Sequence, residues 1–294
     1  MRIAVVTTSW PREPGDPAGH FVRSEARSLE RAGHEVTVVA PLPGGAFGWP
    51  GVAARVRDRP LRAVEATWWV AAARRRLAGM NTERVIAHWA VPCAWPIGVR
   101  ARKAALEVVS HGGDVRLLAA MPAAARRFVV HAIVSNAERW RFVSQSLMAA
   151  LLAELDRETR ACLERLAVVQ AAAIEMPDVS AAVRARRLDL AGLRVAVSVG
   201  RLVASKRVDR AIEHVARTPE LDTLVVVGDG PDRCRLESLA RTRKVDARFV
   251  GAVARPDALA WIGAADVLLQ ASRAEGASTV VREAEALGTR VQEV

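Results

Sequence analysis

Two strand-length apolar runs open the chain, MRIAVV at 1–6 and HEVTVVAP at 34–41. Between them lie a glycine- and proline-rich loop, PREPGDPAGH at 11–20, and a helical stretch, FVRSEARSLERA at 21–32, with Phe21, Ala26 and Leu29 on its buried side. Gly33 follows as a helix-terminating glycine. Strand, glycine loop, helix and strand make a βαβ unit. Strands that are apolar on both faces belong in a parallel sheet covered on both sides.

The alternation continues. ERVIAHWA (83–90) and LEVVSHGGD (106–114) read as strands, the second running into a loop. FVVHAIVS (128–135) and WRFV (140–143) read as further strands, and 52–79 and 144–166 as helical. It restarts with strands at 193–200, 221–231, 247–253, 266–272 and 288–294, with helices expected over 207–217, 232–243 and 257–265. Between the two halves, Pro177 and the arginine-rich 180–189 interrupt the pattern, so a linker is expected near 171–192. The expected domains are 1–175 and 190–294. A length of 294 residues suits two cores rather than one.

Hydrophobic content of 51% with 26% charged residues predicts a folded chain. The first run turns polar after six residues and reads as a strand, not a signal peptide. No apolar run is long enough to span a bilayer. Cys93, Cys162 and Cys234 lack metal-ligand spacing, which points to a reduced, cytoplasmic compartment. The net charge of +11 reflects an arginine bias or an attraction to phosphate-bearing ligands or an anionic membrane. No nucleic-acid reading motif accompanies it. The basic stretch 52–79, with Trp68 and Trp69, is a solvated helix face or a peripheral membrane contact at the inner face.

In a doubly wound sheet, ligands bind at the carboxyl ends of the strands. In the second half the unusual residues fall there: Gly200 and Arg201 with Lys206, Gly228-Asp229-Gly230, Gly251, and Glu275-Gly276. Arg201 offers a fork to phosphate oxygens and Lys206 a point charge on a flexible stem, a pair suited to a diphosphate. Of 43 basic residues only Lys103, Lys206 and Lys244 are lysine. A lysine at a strand end in such a chain suggests a place where arginine would not fit.

The stretch RAEGASTVVREAEALG, 273–288, places Glu275 in a turn and Glu283 in a helix starting near Ser278-Thr279. The start of that helix can hold an anion. Glu283 then lies one turn beyond Thr279 on the same face, where an attached ribose would sit. Glu275 would face what lies beyond the phosphates, and a carboxylate suits a sugar diol.

With GRLVASKRVDRAIE (200–213), VVVGDGPDRCRLE (225–237), RFVGAV (248–253) and ADVLLQASRAEGASTVVREAEALGTRV (265–291), the chain resembles the family 4 (GT4-type) retaining glycosyltransferases of the GT-B fold. GHEVTVV (33–39), IAHWAVP (86–92) and SHGGDV (110–115) extend the resemblance over essentially the whole chain. It implies an α/β architecture of two Rossmann-like, doubly wound parallel-sheet domains facing across a cleft. It implies that Arg201 and Lys206 bind the nucleoside diphosphate, that Glu275 meets the donor sugar, and that Glu283 meets the ribose. Gly276, Ala277, Ser278 and Thr279 would meet sugar and phosphate, and backbone near Gly251 and Val253 the base. Gly19 would approach the diphosphate, and His111 the donor sugar and acceptor. His88 and Trp89 are structural or acceptor-side.

The implied reaction moves a sugar from a nucleotide-sugar donor to an acceptor hydroxyl of a polysaccharide, glycolipid or natural product, as in cell-envelope assembly, with retention. No cofactor beyond the donor and no metal is expected, since no Asp-x-Asp pair stands at a strand end. Two departures stand out. Three alanines in VVQAAAIEMPD (168–178) replace the family's usual turn, and the family's segments beyond the strand at 290–294 are absent, leaving an expected exposed sheet edge. The alternative is a truncated or degenerate relative that binds nucleotide or a partner without turnover. A nicotinamide-dependent enzyme is disfavoured, because residues 15–19 lack the Gly-x-Gly-x-x-Gly pattern.

Overall fold

The computed structural model describes residues 1–294 apart from 14, 17, 48–51, 102–103 and 273–277. The chain divides into two compact units, Met1–Ala173 and Ile174–Val294.

In the first unit, β1 (Arg2–Val6), α1 (His20–Arg31) and β2 (Glu35–Val39) form the expected βαβ unit. Helices α2 (Val52–Asp58) and α3 (Arg62–Ala78) lead to β3 (Arg84–His88), an irregular segment at Ala90–Ile97, and β4 (Ala105–Ser110). Then follow α4 (Gly113–Ala120), α5 (Ala123–Val134), β5 (Ala137–Phe142), α6 (Gln145–Ala153), α7 (Arg157–Leu166) and β6 (Ala167–Val169). All six strands are parallel, in the order β2-β1-β3-β4-β5-β6. The direction of winding reverses between β1 and β3, so the loops after those strands flank a crevice at the sheet's carboxyl edge.

Residues 128–135 are a correction: they are not a strand but the end of α5. Their β-branched residues suggest a strand, yet Val129, Val130 and Ile133 are buried while Phe128 is 64% exposed, the one-sided pattern of a helix on a sheet. In α1, Val22 and Ala26 form the fully buried pair, while Phe21 and Leu29 pack at its margin.

In the second unit, α8 (Ser180–Asp189) precedes β7 (Val195–Val199), α9 (Val208–Ala216), β8 (Thr223–Val227), α10 (Arg233–Arg243) and β9 (Ala247–Gly251). Then come α11 (Arg255–Ala264), β10 (Val267–Gln270), α12 (Thr279–Ala286) and β11 (Arg290–Glu293). The five parallel strands run β11-β10-β7-β8-β9, reversing between β7 and β10.

Residues 180–189, read above as an interruption, are the helix α8. Their arginines have structural work. The Arg187 guanidinium donates to the Gly263 carbonyl at 3.0 Å, and Arg186 lies 4.5 Å over the Trp261 ring. A long arginine stem can cover apolar surface while its head finds a carbonyl or a ring, so a basic run need not be a solvated linker.

The loops after β7 and β8 lie backbone against backbone. Gly200 N donates to Val227 O at 2.9 Å, and Leu202 N to Asp229 O at 2.9 Å. A Cβ on Gly228 would stand 1.9 Å from the Gly200 carbonyl oxygen, at a φ of +135°. Gly228→Ala is therefore expected to destabilise the protein by roughly 2–6 kcal/mol, combining backbone strain with overlap. Gly33→Ala, at φ +82° with open space around it, should cost only about 1–2 kcal/mol. Urea unfolding of both variants checks the contrast.

Candidate functional site

Four strand ends of the second unit carry the predicted donor-side residues. Arg201 follows β7 on an exposed turn. Lys206 ends a short helical turn, Ala204–Lys206, held open by Arg207 in a left-handed conformation. The Lys206 stem runs over Gly200, with Cε and Nζ 3.7 and 4.0 Å from where a Cβ on that glycine would be. The loops after β7 and β10 flank the reversal of winding, and Ser272 Oγ donates to Ser205 O at 3.4 Å between them.

Glu275, Gly276 and Ala277 lie outside the described residues. Ser278 is the N-cap of α12 but makes no side-chain capping hydrogen bond, and Thr279 is the first helical residue. Among the described residues the first-turn N–H groups of α12 have no side-chain cap, the condition for holding an anion there. Gly251 has a φ of +83°, and its carbonyl accepts from Gly228 N at 2.8 Å. Val253 packs against the core of the second unit.

Glu283 is buried, at 5% exposure, and accepts from Arg255 Nε at 2.8 Å. Burial raises its pKa above the ordinary glutamate value, and the Arg255 charge and hydrogen bond only partly oppose this. Sequence reasoning missed Arg255, because nothing in a separation of 28 residues marks the pair.

At the carboxyl edge of the first sheet, Gly19 caps α1 with a φ of +71°. A Cβ there would stand 2.3 Å from the Ser9 carbonyl oxygen, so the glycine is required by the loop itself. Asp16 shapes that loop. Its carboxylate accepts from Arg12 Nε at 2.9 Å and from Ala18 N at 2.9 Å. Although burial works to raise its pKa, these bonds outweigh it and hold the carboxyl below its usual range.

His111 follows β4. In the SHGGD loop the buried Asp114 carboxylate accepts from three backbone groups: Ala90 N at 2.8 Å, and His111 N and Gly112 N at 3.1 Å each. The Phe21 ring lies 4.6 Å and the Trp89 ring 5.0 Å from the His111 ring. His111 Nε2 meets His88 Nδ1 at 3.0 Å. Burial pulls the His88 pKa down to about 3, assisted by the Arg141 charge. Burial, with His88 and Arg141, likewise lowers His111 well below the usual histidine value. Both shifts favour the neutral imidazoles. The spacing of a histidine and an aspartate three residues on could have signalled the Asp114 cap; nothing local signalled the His88 contact.

The family described as Glycosyl transferases group 1 matches residues 184–291. No curated protein sequence matches the chain. Among solved structures, Anabaena Alr3699/HepE in complex with UDP-glucose is similar with a TM-score of 0.68 at 18% identity, covering 100% of this chain and 80% of that one. Sucrose-phosphate synthase from Thermosynechococcus elongatus gives 0.66 at 21% identity, covering 99% and 80%. WaaG, a glycosyltransferase involved in lipopolysaccharide biosynthesis, gives 0.56 at 15% identity, covering 99% and 80%.

The Glu283–Arg255 pair has a pH signature. A carboxyl whose folded-state pKa is raised binds its proton more tightly when folded. Its contribution is fully present below the ordinary glutamate pKa and is lost as pH rises through the folded-state value. Arg255→Ala removes the opposing charge. It should lower stability near neutral pH by on the order of 3–5 kcal/mol, with the deficit narrowing as pH falls toward the glutamate range. Thermal melts across pH check this; a deficit independent of pH would mean that Arg255 acts by packing alone.

Two doubly wound parallel sheets and their likeness to these structures give the GT-B fold, and within it residues 184–291 match the family described as Glycosyl transferases group 1.

Proposed function

We propose that this chain transfers a sugar, with retention, from a nucleoside-diphosphate sugar to an acceptor hydroxyl in polysaccharide, glycolipid or natural-product assembly. The observation that carries the proposal is in the second unit. Arg201, Lys206 and the start of α12, which lacks a side-chain cap, follow the two strands where the winding reverses. There the two cations and the helix dipole stabilise the charge that develops on a departing diphosphate, and no metal is required. In this reading Glu275 binds donor-sugar hydroxyls and Gly276 to Thr279 meet sugar and phosphate. Glu283, oriented by Arg255, binds the ribose diol, and the backbone at Gly251 and Val253 meets the base. In the first unit, Gly19 lets backbone approach the diphosphate, and His111 meets a hydroxyl of donor sugar or acceptor. The UDP-glucose bound to the Anabaena protein makes UDP-sugars the first donors to try.

The test is donor hydrolysis and transfer across a panel of nucleotide sugars. Lys206→Ala is expected to lower kcat by on the order of 10²–10³, the usual cost of removing one preorganised charge stabiliser. Glu275→Ala should lose transfer while UDP still raises the melting temperature. A chelator should leave turnover unchanged. Nucleotide binding without turnover would favour the non-catalytic alternative.

The peripheral membrane contact belongs to the same proposal. Leu61, Val64 and Trp68 are 79%, 68% and 73% exposed, and their spacing puts them on one side of α3, opposite the buried Ala73 and Leu77. The exposed Arg57, Arg59 and Arg75 flank the stripe. An apolar stripe framed by arginines fits the headgroup region of an anionic bilayer and gives access to lipid-linked acceptors. No helix among the described residues is long and apolar enough to cross a membrane. Sedimentation with phosphatidylserine vesicles should capture the protein, added salt should weaken capture, and Trp68→Glu should abolish it. A wild-type protein left in the supernatant at low salt would remove the membrane from the proposal.

A further inference from the structure

His111 is backed by a chain of polar groups that the transfer reaction itself does not call for. Arg141 on β5 is 5% exposed and is held between two carboxylates, Glu25 of α1 and Glu107 of β4. Glu107 is also paired with Arg84 at 3.2 Å. The second oxygen of Glu25 lies 3.8 Å from His88 Nε2, a nitrogen that is fully enclosed and has no hydrogen-bond partner among the described residues. The other nitrogen of the same ring, Nδ1, is 3.0 Å from His111 Nε2. The two imidazole planes are 13° apart with centroids 5.2 Å apart. With so short a nitrogen–nitrogen distance, the rings meet edge to edge, as an N–H···N hydrogen bond requires. Nδ1 of His111 is neither hydrogen-bonded nor enclosed among the described residues.

Two proton arrangements satisfy the His88–His111 bond, and the electrostatics separate them. If His88 carried its proton on Nδ1, its Nε2 lone pair would face the Glu25 carboxylate across 3.8 Å in a buried site, lone pair against anion. If it carries the proton on Nε2, a positive N–H edge faces that carboxylate, and the Nδ1 lone pair accepts from His111. A neutral imidazole has one donor and one acceptor nitrogen, so the bond at one fixes the role of the other.

We propose that Glu25 and His88 are positioning residues that hold His111 as its Nε2–H tautomer, so that its open Nδ1 accepts a hydrogen bond from a sugar hydroxyl. The consequence for substrate rests on the reading, under the proposed function, that His111 meets a substrate hydroxyl; the tautomer itself does not. His88 is 0% exposed and touches no substrate, so its effect passes through His111. Arg141 anchors Glu25, and burial, assisted by its positive charge, disfavours protonation of the two rings, which would turn His111 into a donor at both nitrogens.

The experiment is long-range proton–nitrogen NMR on the full chain labelled with ¹⁵N-histidine, with the His111 signals assigned by their loss in His111→Asn. In the wild type at neutral pH, His111 should show a protonated Nε2 and an unprotonated Nδ1. Glu25→Gln keeps the shape of residue 25 and removes its charge, and His111 should then populate both tautomers. His88→Asn, whose side-chain oxygen can accept in place of Nδ1, should retain the Nε2–H tautomer, whereas His88→Phe should not. If the phenylalanine variant does not fold, Glu25→Gln decides. With a working donor, Glu25→Gln should lower kcat on the order of tenfold or more with KM little changed, as for other residues that orient a histidine. A wild-type His111 protonated on Nδ1, or a tautomer unmoved in Glu25→Gln, overturns the proposal. No transfer by any form, with the tautomer as expected, sinks the proposed function and leaves the positioning intact. Transfer by a wild type with the other tautomer does the reverse.

Discussion

The first unit is organised around a charge that should not be inside a protein. A guanidinium at 5% exposure is costly to desolvate, and Arg141 is tolerated because Glu25 and Glu107 meet it from two different elements. That requirement fixes where α1 lies on the sheet, since Glu25 must reach β5. It also settles which face of β3 and β4 is polar. His88 and Val109 stand in register, as do Val109 and Arg141, so the histidine and the arginine point to the same side of the sheet. Once α1 is placed, Phe21 is set against His111 and Gly19 lies at the crevice. The ion cluster is weak evidence for stability. What it supplies is a fixed set of contacts between α1 and strands β4 and β5.

The second unit solves a different problem, bringing the backbones of two loops against each other. Gly200, Gly228 and Gly230 let the loops after β7 and β8 stack with no side chain between them. Glu283 is buried and accepts from Arg255, and burial still prevails in its pKa.

Much of this was legible in the sequence because it depends on local pattern. Every strand of the second unit, and all of its helices but α8, were read from local hydrophobic pattern, and β7, β8 and β9 each end at or just before a glycine, Gly200, Gly228 and Gly251. Where local pattern and tertiary context disagree, reading fails. FVVHAIVS has the composition of a strand, but one of its faces is left to solvent, and only the neighbouring sheet decides that it is α5. The arginines of 180–189 look like a break until Gly263 and Trp261 supply a carbonyl and a ring. The candidate site divides the same way. Arg201, Lys206, Ser278 and Thr279 were visible as residues at strand ends or a helix start. Arg255, Glu25 and Arg141 were not, because their meaning lies in partners 28, 116 and 34 positions away.

Lys206 brings both kinds of evidence together. In a chain that writes arginine almost everywhere, a lysine beside a strand end is a compositional anomaly. The structure supplies a physical reason. The stem lies along Gly200, close enough that its last three atoms stand 3.7 to 4.0 Å from where a Cβ would be. A straight methylene chain can lie flat on a glycine and end in a compact ammonium. A planar guanidinium is wider and demands a fork of partners in its own plane. Gly200 takes a φ of +154° that favours glycine, and the lysine stem lies against it at ordinary contact distance and carries its charge to the end of β7.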